Sequence, residues 1–403
     1  MVRLNGTDMT RAALAARAGG LGAVGGVRLM ELSDGLERGI RMLEFRTGSG
    51  LRFTVLVDRA MDIAEVEHKG RSIGWHSPSG FRHPGLHEYE GEDGFSWARS
   101  FSGFLVTCGL DHILGPETVA ADHYKYPGRK TATHSLHGRI STIPARLTGY
   151  GETWTGDQCV LWAEGVVQQA TVFGENLHLH RRIEADLGGN EIRVSDRVVN
   201  AGFRTTPHMF FYHVNLGYPL LDQGTRFVAP IADTVWAAHA GPNYRAQGVG
   251  YAEAPAPIED FIEQVWQFDL AANATDEVSA ALINDDKGLG LELVTRKSQL
   301  PCFYHWQNFQ AGEYAVGLEP STHHVLGNNA ARDRHEMIWL NARESRSYDT
   351  RFRVLDGHDD IAEIEKRVRA AGDQPSDGYP EPSGQFKPLP WATQAHSKQT
   401  SHI

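Results

Sequence analysis

The sequence predicts a mostly β fold, organised as one large antiparallel sandwich with a few short helices. The chain has 403 residues with 43 glycines and 18 prolines, and few long helical patterns occur in it. Many short runs of β-prone residues alternate with turn signals, a pattern typical of strands joined by hairpins. Because no break in composition divides these strands, we expect a single β domain over residues 21–357.

The N-terminal third begins with a short helix. Residues 7–18 start with a polar cap and end at Gly19-Gly20, so residues 1–20 are predicted as an N-terminal helical segment. Two strand candidates, 40–45 and 51–57, flank a Thr-Gly-Ser-Gly hairpin signal. Residues 75–100 lack a period and are rich in Trp, His, Gly and acidic residues, which predicts a long loop region of the kind that often carries function.

The rest of the chain continues the β pattern and closes with a helix and an arm. Strand candidates lie at 143–148, 159–169, 176–185, 191–199, 261–270, 280–283, 289–294, 302–306, 313–318 and 348–354. A helix is predicted at 361–371, and the tail from Gly372 is rich in Pro, Ser and Gln. We therefore assign 358–403 to a short helix and an irregular arm, either mobile or packed on a neighbouring subunit of a homodimer.

Charge and cysteine content narrow the classes of partner. The net charge is -11 without a Lys/Arg cluster, which argues against nucleic acid or an anionic membrane surface as partner. Three distant cysteines, Cys108, Cys159 and Cys302, argue against a disulfide framework or a cysteine zinc site. With no apolar leader and no 18-residue apolar run, we expect a cytoplasmic protein without a membrane span.

The segment 208–222 is an aromatic strand that contains a histidine and an amide. Alternation along a strand places its side chains on two faces. One face carries Met209, Phe211, His213 and Asn215, and the other carries Phe210, Tyr212 and Val214. Taken alone, a histidine in this strand is expected to be buried and bonded to a backbone carbonyl. For His208 we retain this structural role.

Two further segments supply polar groups near strand ends. In His134-Ser-Leu-His137-Gly-Arg139, His137 and Arg139 share a face if the backbone is extended, although a polar loop explains the segment equally well. Glu319 follows an apolar strand that we expect to end at Pro320. A carboxylate there needs a partner or a proton-transfer role, the alternative being a structural glutamate bound to backbone amides.

Together these residues suit acid–base chemistry on a hydroxylated substrate. Aromatic side chains that could stack on a sugar ring are Trp75, Phe211, Tyr212 and Trp306, although core packing explains most of the nine tryptophans.

Six segments, in this order, resemble the aldose 1-epimerase (galactose mutarotase-like) superfamily, and most closely an uncharacterised bacterial branch of it. The resemblance runs from about residue 20 to 357. Its segments are Leu51-Arg-Phe-Thr-Val-Leu-Val-Asp-Arg59-Ala-Met-Asp-Ile, Thr107-Cys-Gly-Leu-Asp111, Leu136-His-Gly-Arg-Ile-Ser141, Phe173-Gly-Glu-Asn176-Leu, Pro207-His-Met-Phe-Phe-Tyr-His-Val-Asn215 and Gly317-Leu-Glu-Pro320.

The resemblance implies a β-supersandwich with a sugar cleft, no cofactor, and a small carbohydrate as substrate. It implies that Glu319 takes the proton of the anomeric hydroxyl and His213 protonates the ring oxygen, so that the sugar opens and recloses as the other anomer. The expected substrate contacts are His137, Arg59, Arg139, Asn215, Asp111 (with Asp62 as an alternative to it) and Trp306.

Two alternatives stay open. The same acid–base pair could abstract a proton next to a carbonyl, which predicts an isomerase or lyase acting on a keto-sugar, with a divalent metal held by His137, His213 and Glu319. A non-catalytic carbohydrate-binding module is the third interpretation, since a fold does not fix a function.

Overall fold

Strands form most of the chain in the computed structural model, which describes residues 1–4, 6–239, 247–372 and 380–392. The strands are β1 (Val2–Leu4), β2 (Thr7–Met9), β3 (Gly26–Glu31), β4 (Arg41–Arg46), β5 (Leu51–Leu56), β6 (Asp62–His68), β7 (Arg71–Ser72), β8 (Leu105–Leu110), β9 (Glu117–Ala120), β10 (Thr131–His134), β11 (Arg146–Thr155), β12 (Gln158–Ala170), β13 (Asn176–Asp186), β14 (Glu191–Asn200), β15 (Thr206–Leu216), β16 (Arg226–Val228), β17 (Ile231–His239), β18 (Gln264–Leu270), β19 (Glu277–Asn284), β20 (Leu289–Arg296), β21 (Cys302–Asn308), β22 (Ala315–Ser321), β23 (Ile338–Leu340) and β24 (Ser345–Asp356). The helices are α1 (Arg11–Ala18), α2 (Gly327–Asp333) and α3 (His358–Ala371).

Two antiparallel sheets contain nearly all of these strands, so the predicted mostly β, antiparallel class is confirmed. The smaller sheet has eight strands in the order β11-β12-β13-β14-β24-β20-β19-β16. The larger sheet has twelve strands, ordered β17-β18-β21-β22-β15-β8-β6-β5-β4-β3, with β23 paired to β15 and β7 to β6. Two separate hairpins, β1-β2 and β9-β10, lie outside both sheets.

The main core lies between the two sheets and uses the alternation of side chains along each strand. On β15, Phe210, Tyr212 and Val214 belong to this core together with Leu179 and Ile183 of β13 from the smaller sheet. Side chains of the opposite parity on β15, Met209 and Phe211, pack in a second apolar cluster with Trp97 and Cys108. The two faces predicted for this strand are therefore the observed ones.

Beneath β15, a buried ionic network ties the two sheets together. Arg181 of β13 donates to Asp196 on its own sheet at 2.6 and 2.9 Å. Across the core it donates to Asp62 at 2.9 Å and to the Thr107 hydroxyl at 2.7 Å. The Tyr212 hydroxyl also donates to Asp196, at 2.6 Å. Every member is therefore hydrogen-bonded, as buried charges require.

The described part of the C-terminal arm packs on its own chain. Leu389 is buried with Cys302 and Tyr304. The His324 ring bonds the Lys387 carbonyl at 2.9 Å, and the Trp391 indole donates to the Glu336 carbonyl at 2.6 Å. For 380–392, packing on the chain itself replaces the expected mobile arm, and contact with a neighbouring subunit stays a prediction. Residues 373–379 and 393–403 lie outside the described ranges.

Two other expectations differ from the structure at element ends. Residues 7–9 form strand β2, and the helix begins only at Arg11, with the Thr10 hydroxyl as its cap. Strand β22 does not end at Pro320 but continues to Ser321. Pro320 pairs with Phe303 on β21, while the pairing with β15 is interrupted beside it, where a proline has no N–H to donate.

No helix in the described ranges is long and apolar enough to cross a membrane.

Candidate active site

A cleft of about 960 Å³ opens on the larger sheet, on the face turned away from the main core. Its floor comes from neighbouring strands β15, β22, β21 and β18. Its walls come from the long loop between β7 and β8 and from the loops around Leu114 and Leu136. The predicted loop region therefore borders the site, as its composition indicated.

His213 and Glu319 meet at the floor of this cleft. Their strands are paired antiparallel, with Val214 opposite Leu318. His213 comes just before Val214 and Glu319 just after Leu318, so the two residues lie side by side. The distance between His213 Nε2 and Glu319 Oε1 is 3.1 Å, and both side chains are about 5% exposed. The sequence-based expectation that these two side chains approach one small space is met.

Gly317 makes room for the pair. A Cβ atom at this position would lie 2.5 Å from Glu319 Oε1 and 2.9 Å from His213 Cε1. Both separations are shorter than a carbon can accept without movement of these two side chains. The glycine two residues before Glu319 is therefore a steric requirement of the site.

Burial shifts the pKa values of Glu319 and His213 in opposite directions. It raises the pKa of Glu319 well above the usual 4.5, and the nearby Glu263 carboxylate adds to the rise. It lowers the pKa of His213 to about 3, against a smaller opposing effect of the Asn215 amide. Burial therefore favours an uncharged pair in which Glu319 holds the proton and His213 is a neutral imidazole.

His137 enters the cleft from a loop with an unusual backbone. Its φ is 58°, and it is followed by Gly138 at 79°; a Cβ there would be 2.3 Å from the Gly109 carbonyl. The His137 ring lies 5.9 Å from that of His213, centroid to centroid, and accepts from the Leu114 amide at 3.3 Å. Burial and the neighbouring His213 lower its pKa well below 6.5, so it is a neutral polar group.

Aromatic rings surround the pair. Phe101 lies 4.6 Å from the His213 ring, and Trp306 lies 5.3 Å from it in an edge-on arrangement. Trp97 stacks on Phe101 at 4.3 Å, and Trp75 approaches Trp306 at 6.0 Å. Such rings suit the apolar face of a sugar. Of the four aromatics predicted for stacking, Trp75 and Trp306 line the cleft, whereas Tyr212 faces the core and Phe211 the second cluster.

Arg59 does not reach the cleft. Its buried guanidinium donates to three backbone carbonyls, those of Ser141 at 2.8 Å, Ser100 at 2.9 Å and Arg82 at 3.2 Å. The side chain thus joins two points of the loop between β7 and β8, which carries Trp97, to the segment around Ser141. Arg59 therefore supports the loops of the cleft wall, and the expectation that it contacts the substrate is not carried further.

Arg139, Asp111 and Asn215 also lie outside the cleft lining. The Arg139 guanidinium stacks on the Tyr89 ring at 3.8 Å. Asp111 is buried and accepts from the Gln169 amide at 2.7 Å. Asn215 shares the face of His213, but it is fully buried and donates to the Gly103 carbonyl at 2.9 Å. Asp62, the alternative to Asp111, belongs to the network of Arg181.

His208 has the structural role expected of it. Its ring bonds the Leu110 carbonyl at 2.8 Å and the Tyr348 hydroxyl at 2.7 Å. Both nitrogens are thereby satisfied within the protein.

The alternative metal set is not assembled. Within the described parts of the chain, no group of three or more His, Cys, Asp or Glu side chains is arranged to hold a metal ion. His137, His213 and Glu319 line one cleft, but their mutual placement does not form a coordination site.

Several further residues line the cleft that the sequence did not single out. Trp97 and Phe101 lie in or beside the Trp-rich loop, which could have indicated them. Tyr304 lines the cleft from β21 and donates its hydroxyl to the His323 carbonyl. Glu263, just before β18, had no local signal. Its carboxylate accepts from the Trp306 indole at 2.7 Å.

The chain matches one family model and a set of solved structures. Residues 37–354 match a family model described as a domain of unknown function, DUF4432. No curated protein matches the sequence.

Solved structures share the fold at low identity. A Klebsiella pneumoniae protein, provisionally described as an aldose 1-epimerase, superposes with a TM-score of 0.79 at 22% identity, over 89% of this chain and 91% of that one. A galactose mutarotase-like protein from Clostridium acetobutylicum gives 0.55 at 14%, over 82% and 98%. Galactose 1-epimerase from Lactobacillus acidophilus gives 0.51 at 16%, over 82% and 99%. The predicted galactose mutarotase-like fold is thereby confirmed.

Proposed function

The chain belongs to the DUF4432 family, whose description assigns no activity, and we propose from its cleft that it is a carbohydrate-active epimerase that interconverts the anomers of a sugar. The observation that carries the proposal is the contact of His213 with Glu319 at the floor of an aromatic cleft. The anomeric hydroxyl and the ring oxygen of an aldose are both bonded to C1, so one compact acid–base pair can exchange protons with both. The fold of the mutarotase-like structures supports the same conclusion.

Ring opening needs one proton accepted and one donated. In the proposed step the Glu319 carboxylate takes the proton of the anomeric hydroxyl, C1=O forms, and the C1–O5 bond breaks. The ring oxygen receives the proton of the His213 imidazolium. Rotation about C1–C2 and the reverse transfers then close the other anomer.

The pair holds one proton throughout this cycle, and only its location changes. Before ring opening the proton lies on His213, and afterwards it lies on Glu319. The burial of both groups favours the second state. His213 Nε2 and Glu319 Oε1 lie 3.1 Å apart, but Glu319 Oε1 has no hydrogen-bond partner among the described residues, so in the proposal the proton passes between the two side chains through the reacting sugar. In the proposal, polar groups of the bound sugar stabilise the charged form from which opening starts.

The remaining cleft groups bind the substrate. His137, as a neutral imidazole beside His213, would hold a ring-side hydroxyl, and Trp306 would stack on the sugar ring. Arg59, Arg139, Asp111 and Asn215 are not proposed as ligands, because none of them lines the cleft. All three cysteines are free and buried, which fits a reducing compartment, and we propose the cytoplasm as the site of the reaction.

Anomer-exchange NMR over a panel of neutral, acidic and keto sugars tests the proposal. We expect Glu319→Gln and His213→Ala each to lower the exchange rate at least about 100-fold, because general acid–base catalysis contributes that much. Glu259→Gln, an exposed change outside the cleft, is the matched control and should keep the rate. Circular dichroism checks folding. Wild-type rates in both folded variants would refute the assignment.

A further inference from the structure

The charge of the cleft indicates which sugars it accepts. Glu263 and Glu313 line the cleft in addition to Glu319. Among the described lining residues, the one Lys or Arg is Arg99, whose side chain is 62% exposed and already pairs with Glu92. Within the described lining, carboxylates therefore outnumber cations.

Glu263 is the best placed of these carboxylates to act on a substrate. It lies just before β18, and its Oε2 accepts a hydrogen bond of 2.7 Å from the Trp306 indole, which holds the carboxylate in place. The ring of that same tryptophan packs against His213. Glu263 is also close enough to Glu319 to contribute to the rise of that residue's pKa. A negative charge therefore lies at a defined position beside the acid–base pair.

We propose that Glu263 determines which sugars the cleft accepts. It makes the cleft discriminate against sugars with an acidic group and favour sugars with an amino group. The inference rests on the proposed function and adds a substrate class to it. An acidic substituent bound near Glu263 would face a like charge in a partly desolvated cleft, where such repulsion is strong. An ammonium group would gain a partner there, and a hydroxyl could donate to the same carboxylate.

The test compares matched sugars on matched variants. Wild type, Glu263→Gln and Glu259→Gln are assayed with a hexose, its 2-amino derivative and its uronic acid, in the sugar series that wild type exchanges fastest. The Gln side chain retains an oxygen for the Trp306 indole, so the substitution removes the charge and keeps the shape. Affinities measured by isothermal titration calorimetry supply a readout that does not depend on turnover.

We expect wild type to prefer the hexose to the uronic acid in both kcat/KM and affinity. In Glu263→Gln this preference should shrink by about tenfold or more, the ratio that corresponds to one weakened charge interaction, and the advantage of the amino sugar should disappear. Glu259→Gln should keep the wild-type preferences. The pH at which activity is lost on the alkaline side should also fall in Glu263→Gln, because Glu319 loses a neighbour that raises its pKa.

The outcomes separate the two claims. If wild type exchanges sugars but Glu263→Gln keeps the wild-type preference, the inference about Glu263 is wrong and the proposed function stands. The same holds if wild type prefers the uronic acid. If wild type neither exchanges nor binds any sugar, the proposed function fails and the inference fails with it.

Discussion

At the scale of single residues, one physical cause accounts for the state of the site. Desolvation disfavours the charged form of every buried group, so it moves the pKa of a carboxyl and of an imidazole in opposite directions. His213 and Glu319 both experience this effect within 3.1 Å of each other. Between the lowered pKa of His213 and the raised pKa of Glu319, the two side chains together therefore hold one proton.

The pH dependence of kcat/KM follows from this shared proton. In the proposed mechanism the pair needs one proton, so activity should fall on the acid side only as His213 binds a second proton, near its lowered pKa of about 3. On the alkaline side it should fall when Glu319 loses its proton, well above pH 4.5. We therefore expect no acid limb near pH 6.5, the pKa of an exposed histidine. A stopped-assay pH profile with an acid limb at 6.5 would contradict the account.

Residue roles were predictable only where they follow from local pattern. The position of His213 on the cleft face follows from strand parity, and Glu319 was indicated by its place in an apolar strand. Arg59 was not predictable, because its three carbonyl partners come from segments distant in sequence. Glu263 likewise acquires its place through a contact with Trp306, 43 residues further on.

At the scale of elements, the pairing of β15 with β22 creates the site. The ladder has Asn215 opposite Gly317, and Gly317 also lies opposite Trp306 on β21. The small residue in the middle strand lets the His213 ring and the Glu319 carboxyl occupy the space above it. Alternation and hairpin signals predicted most strands, whereas the extension of β22 through Pro320 depends on its neighbours and was missed.

Gly317→Ala tests this packing. We expect the substitution to displace His213 or Glu319, because its Cβ would come within 2.5 Å of the carboxyl oxygen, and to lower anomer exchange by at least about tenfold while the protein stays folded. Gly22→Ala is the control, since a Cβ there meets no atom within 4 Å. Equal activity in both variants would show that the close approach is not required.

At the scale of the whole molecule, a polar network inside an apolar core joins the two sheets. Arg181 reaches from the smaller sheet to Asp62 and Thr107 of the larger one, directly below β15. The sequence predicted a sandwich but not this connection, because the partners lie far apart in sequence. The docking of arm residues 380–392 beside β21 escaped prediction for the same reason, since its contacts are long-range and its composition suggests disorder.

Arg181→Ala should be strongly destabilising. It leaves two buried carboxylates without their cation, which costs about 3–5 kcal/mol in the free energy of unfolding. Arg182→Ala is the matched control on the same strand, because Arg182 forms ion pairs with Glu164 and Glu184 at the surface. That change should cost less than about 1 kcal/mol. Urea unfolding followed by circular dichroism compares the two, and equal losses would disprove the role of the network.

The claim that unites these scales is that the cleft exchanges anomers by opening the ring, without breaking a C–H bond. Exchange NMR in D₂O, on an aldose that the wild-type protein turns over, measures this directly. The account predicts rapid exchange between the α and β anomeric signals, no deuterium at C2, and loss of the exchange in Glu319→Gln. Deuterium incorporation at C2 would instead show proton abstraction next to a carbonyl, as in an isomerase or lyase. Tight binding without exchange for any sugar would show a binding module.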